Sequence, residues 1–206
     1  VFLAEPFVID KIYSQHTQLY GQSGEFPNKE ILSSFGELYS LNNDTVGYIS
    51  IDGTNINYPV AQCAEQPDFY DTHLFNGWFS LDGTPHTKTE IKENKFYQNI
   101  IIYGNNTQNG RMFSDLSGLA TLSGYRSSPL IKFDTIYGNG NYKIFAVVNN
   151  QGEIPSQLLK SEFFDDEDFG LYISNILSES SIITSVDLNK NDEIITLVSR
   201  GYKKCT

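Results

Sequence analysis

The 206 residues predict a mainly β domain that begins near residue 43, preceded by helices and interrupted by one long helix. Three observations carry this. Residues 7–41 place their apolar side chains on stripes of roughly 3.6-residue period. Most of the remainder consists of short runs rich in β-branched and aromatic residues, parted by turn clusters. The helical spacing then returns once, in SEFFDDEDFGLYISNILSES, residues 161–180.

In chain order, PFVIDKIYSQHTQLYGQSG places Phe7, Ile9, Ile12, Tyr13 and Leu19 on one helical stripe. EILSSFGELYSLN repeats it with Ile31, Leu32, Phe35 and Leu38, and Gly21 to Pro27 is the break between them. In VGYISIDGTNINYPV apolar and polar residues alternate around Asp52-Gly53, a hairpin signal. IIIYG, LIKFDTI, YKIFAVV and EIITLVS are further strands, with Gly138-Asn139-Gly140-Asn141 as a turn between two of them. In the later helix Ser161 is the expected cap, acids crowd the first turns, and Phe169, Tyr172, Ile173 and Ile176 form the buried stripe.

Composition narrows the function classes. Acidic residues outnumber basic ones by 25 to 14, so the net charge is −11, which argues against nucleic-acid or anionic-membrane binding by bulk electrostatics. Two cysteines, Cys63 and Cys205, make no disulfide framework, and no Cys/His spacing suggests zinc. Asp165 to Asp168 lack the spaced oxygens and glycine of a calcium loop, so they are expected to be helix-start charges. No cofactor or metal is expected. No stretch reaches the roughly 18 apolar residues that span a bilayer. The start, VFLAEPFVID, has no basic leader and is no signal peptide, and a membrane anchor removed from the N-terminus is expected.

Several segments resemble, in order and spacing, the class B sortases, cysteine transpeptidases of Gram-positive cell surfaces. They are VGYISIDGTNINYPVAQ (46–62), DFYDTHLFNGWFSLDGT (68–84), NIIIYGNNTQNGRMFSDL (99–116), SPLIKFDTIYGNGNYKIFAVV (128–148) and FFDDEDFGLYISNILSESSIITSVDLNKNDEIITLVS (163–199). The resemblance implies a closed or nearly closed sortase-type β-barrel over 43–206. It also implies an N-terminal helical extension, residues 1–42, packed on the barrel, and one long helix before the last strands. It implies a monomer on the extracellular face of the cell membrane, whose partners are a sorting-signal peptide and a cell-wall amine.

The catalytic positions depart from the pattern. The family's Tyr-Gly-His-Asn reads Tyr103-Gly104-Asn105-Asn106 here, so Asn105 stands at the histidine position. The family's Thr-Leu-Ser-Thr-Cys reads Thr196-Leu197-Val198-Ser199-Arg200 without a gap, which puts Arg200 at the nucleophile. A sortase-type mechanism needs a thiolate to attack, an imidazole to protonate the leaving amine and a cation to hold the oxyanion. A carboxamide relays no proton near neutral pH, and a guanidinium stays protonated and attacks nothing. No arginine follows Arg200 for the third role.

A gapped alignment rescues the nucleophile: Lys203-Lys204-Cys205-Thr206 then stands for Ser-Thr-Cys-Thr, and two lysines lower the thiol pKa. Five residues of strand extend about 16 Å, and an odd shift reverses the strand face, so register favours the ungapped reading. Two expectations follow: a sortase-like protein with impaired or absent catalysis, or an active transpeptidase using Cys205 with a non-standard base. His16, His73 and His86 are expected to be structural or surface histidines, and Cys63 a small buried hydrophobe.

Overall fold

The computed structural model describes residues 6–22, 31–149 and 154–201, with side chains from residue 12 onward. The first helix, α1, runs Pro6–Leu19 as its stripe predicts. Tyr13 and His16 are buried against the strands behind it. The Tyr13 hydroxyl donates to the Gly83 carbonyl at 2.8 Å, and its ring meets Tyr58 edge-on at 5.4 Å. The expected second helix is shorter than the pattern suggests. A 3-10 turn, Ser33–Phe35, leads into α2, Gly36–Leu41, and the break proposed at Gly21 to Pro27 lies partly outside the described residues. Phe35 and Leu38 are fully buried there, with Tyr20 stacked on Tyr48 at 4.1 Å.

Seven strands follow: β1 Thr45–Ser50, β2 Asn57–Ala61, β3 His86–Thr87, β4 Asn99–Asn105, β5 Leu130–Thr135, β6 Asn141–Lys143 and β7 Ile194–Arg200. They form one sheet in the order β6-β5-β1-β2-β3-β4-β7, a mainly β, nearly closed barrel. The Asp52-Gly53 hairpin is present, with Ser50 opposite Asn57 and Gly53 at φ +79°. YKIFAVV pairs over only its first residues, because residues 144–147 leave the sheet. Two further helices are the short α3, Leu122–Ser127, and the long α4, Asp166–Glu179, which precedes β7 as expected. The cap of α4 is Asp165, whose carboxylate accepts from the Asp168 amide at 2.8 Å, so the Ser161 expectation is corrected. Asp165 lies immediately before the first helical residue, where its oxygen reaches the unsatisfied amides; Ser161 lies four residues further out.

Strand β4 explains its own sequence. It runs parallel to β7, and its residues are buried on both faces, so an unbroken Ile100-Ile101-Ile102 run replaces alternation. Ile100 and Ile102 enter the barrel interior with Ile49, Val60, Leu74, Phe113 and Phe133. Ile101 and Tyr103 face outward under Val198, Ile154 and Leu159. Burying each isoleucine contributes roughly 1.5–3 kcal/mol. Then Gly104 admits the Phe113 ring: a Cβ there would lie 2.6 Å from two ring carbons. The chain is thereby pinned where β4 ends and the polar turn begins.

Candidate active site

The C-terminal ends of β4 and β7 lie side by side, with Asn105 paired to Arg200 in parallel register and the Asn106 amide donating to the Arg200 carbonyl at 2.7 Å. The two positions singled out by resemblance therefore meet. The third, Cys205, lies outside the described residues.

Asn105 is held by the loop across from it. Its side-chain nitrogen donates to the carbonyls of Asp71 at 2.8 Å, Leu81 at 3.1 Å and Asp82 at 3.3 Å. Gly83, at φ +66°, closes that cradle: a Cβ there would sit 2.9 Å from the Asn105 amide nitrogen. The amide is thus a donor to backbone carbonyls, a tie between the end of β4 and residues 71–83. Beyond it, Thr107 and Ser114 close the polar turn through their hydroxyls, and Arg111 pairs with Asp82 at 2.9 Å, both largely buried.

Arg200 points to Asp71. One guanidinium nitrogen lies 2.6 Å from each Asp71 oxygen, and the guanidinium carbon sits 4.2 Å from the centre of the Tyr103 ring. Stacking on an aromatic face and pairing with a carboxylate suit the planar cation. Lys88 approaches the same ring at 5.4 Å and pairs with Asp68 at 2.5 Å.

His86 belongs to this cluster, which sequence reasoning missed. It was expected to be a structural or surface histidine. It is buried, at 2% exposure, in the two-residue strand β3, opposite Tyr103 of β4. Its Nδ1 donates to the Thr84 carbonyl at 3.0 Å, and its Nε2 lies 3.3 Å from Asp71 Oδ1 without making a hydrogen bond. Burial pushes its pKa down; the Thr84 carbonyl and Asp71 oppose that, while the Arg200 and Lys88 charges add to it. A neutral ring follows.

The other two histidines are elsewhere. His16 is buried under α1 against Phe75, and His73 stacks on Phe69 at 3.9 Å with its Nδ1 on the Phe69 carbonyl. Cys63 is half-buried beside the Phe35 cluster, two residues past the end of β2. Among the described residues, the cluster's ion pairs join an imidazole, two carboxylates and two cations.

A mainly β, nearly closed barrel with a few helices is the fold of the solved sortase B structures. No family model matches the chain. It is 29% identical over 178 residues to sortase B of Listeria monocytogenes, covering 86% of this chain and 71% of that one. It is 26% identical over 174 residues to sortase B of Staphylococcus aureus, covering 82% and 68%. Its fold matches the solved Staphylococcus aureus sortase B–substrate complex with a TM-score of 0.84 at 22% identity, over 96% of this chain and 90% of that one. In sequence and in fold the chain is similar to the class B sortases.

Proposed function

We propose that this is a sortase B-like protein of a Gram-positive cell surface that keeps a peptide groove and has impaired or absent transpeptidation. The observation that supports it is the Asn105–Arg200 pair. The amide at the histidine position has no proton to give and is engaged with three carbonyls. The side chain at the end of β7 is a guanidinium lying against Asp71 rather than a thiol. Loss of general acid–base help alone slows such chemistry roughly 10²–10⁴-fold. The solved relative bound to its substrate supports a peptide as the partner. No helix among the described residues is long and apolar enough to cross a membrane.

A second reading has its own observation: His86 supplies an imidazole at the same end of the sheet. On that reading Cys205 attacks the peptide carbonyl and His86 is the non-standard base. Incubation with quenched sorting-signal peptides and a cell-wall amine separates the two. The first reading expects peptide binding by calorimetry with cleavage at background. Cleavage that disappears in Cys205→Ala would establish the second. Absence of peptide binding at millimolar concentration would remove the first.

A further inference from the structure

We propose that His86, Asp71 and Asp68 form a binding site for a divalent transition cation, Zn2+ being the best match, at the β3–β4 end of the barrel. The facing oxygens and the imidazole nitrogen of these three side chains lie within 4.8 Å of one another.

The argument begins at Thr84. Its carbonyl can only accept, so the proton of the neutral ring sits on Nδ1 and Nε2 carries a lone pair. That nitrogen is buried, has no hydrogen-bond partner, and points at a carboxylate oxygen 3.3 Å away. Two electron pairs facing each other, one of them on a buried ring, repel. A cation between them turns the repulsion into coordination.

The spacing fits. Ligand atoms about 2.1 Å from a tetrahedral zinc lie about 3.4 Å apart. The His86–Asp71 separation of 3.3 Å is one such edge. Asp68 is exposed, and a swing of the ångström or so, away from Lys88, closes the set. The Nδ1–H bond to a backbone carbonyl is the outer contact that orients a metal-bound imidazole. One nitrogen with two carboxylates selects zinc and its neighbours over calcium or magnesium, which take oxygen alone. The fourth position is open to water or a ligand.

Two side-chain cations oppose the metal. Lys88 holds Asp68, and Arg200 holds Asp71. The Lys88 pair is exposed and worth little, and Asp71 has two oxygens, so the cation takes one and Arg200 keeps the other. Removing Lys88 should therefore tighten binding.

The test is titration of the metal-free protein with Zn2+ and with Co2+, in a Cys205→Ser background so that the terminal thiol is not the ligand. One ion per chain is expected, with d–d absorption for Co2+ showing a low-symmetry nitrogen–oxygen site. Affinity should fall at least about tenfold in His86→Gln and in Asp68→Asn, and rise in Lys88→Gln. Asp68 is exposed, so its variant tests the site even where His86→Gln does not fold. No binding by the parent protein, equal binding of Mg2+ or Ca2+, or affinity unchanged in Asp68→Asn overturns the proposal.

Discussion

At the scale of single residues, Asn105 carries a structural duty that its place in the sequence conceals. Its amide hydrogens face three carbonyls, so an acceptor in their place would meet only acceptors. Asn105→Ala is expected to lose about 1–2 kcal/mol in urea unfolding, and Asn105→Asp more, because a carboxylate would be forced against those carbonyls. Equal loss in both would mean that the cradle opens freely. His16 makes the pH prediction. Burial lowers its pKa from 6.5 to about 4, so the neutral ring's contribution is complete above pH 6.5 and is lost as pH falls toward 4. Over that interval this ring alone removes about 3 kcal/mol. His16→Phe, which suits the site beside Phe75, should flatten the dependence of melting temperature on pH. A slope equal to that of the parent would mean that the buried ring takes up its proton without unfolding. Asn105 and Arg200 could be singled out from the sequence because each sits at a fixed place in a contiguous pattern, and they meet as paired strand ends. The place of His86 beside them could not be, since its neighbours come from elsewhere in the chain: Tyr103 through strand pairing, Asp71 from the 3-10 turn Phe69–Asp71, and Arg200 from the end of β7.

At the scale of elements, helix α4 shows what local chemistry decides. Asp165 satisfies an amide of the first turn, and Asp166, Glu167 and Asp168 lie at the positive end of the helix dipole. Asp165→Ala is expected to cost about 1 kcal/mol and to speed hydrogen exchange in the first turn of α4. No change in either would mean that Asp168, already paired with Lys160, anchors the turn by itself. The strand elements were legible where β-branched residues run together, as in β4 and β7, or where buried apolar residues alternate with exposed ones, as in β5, because burial on one or both faces demands these patterns. Strand β3 was not: His86–Thr87 is too short to carry a period, and only pairing with Ala61 on one side and Tyr103 on the other makes it a strand. The shortened β6 has the same origin, since apolar residues past Lys143 pack against α4 and the loops rather than extend the sheet.

At the scale of the whole molecule, apolar packing falls into an interior and flanking layers. Ile102 lies in the interior, fully buried among residues from β1, β2, β5 and the Phe113 turn. Phe169 lies in an outer layer with Leu158, Phe163, Tyr172, Ile173, Ile176 and Ile194. Asn99 joins the two: its amide donates to the Lys160 carbonyl at 2.8 Å and to the Tyr172 hydroxyl at 3.2 Å, and its oxygen accepts from Thr196 at 2.9 Å. This division predicts two kinds of loss from similar truncations. Ile102→Ala should cost about 2–5 kcal/mol and lower protection from hydrogen exchange in every strand together, because it opens a cavity where most of the sheet converges. Phe169→Ala should cost about 3–5 kcal/mol, yet concentrate its exchange in residues 154–179 while β1, β2 and β5 stay protected. Exchange that rises equally in all strands of the Phe169 variant would show that the Asn99 hydrogen bonds couple the outer layer to the barrel as one cooperative unit.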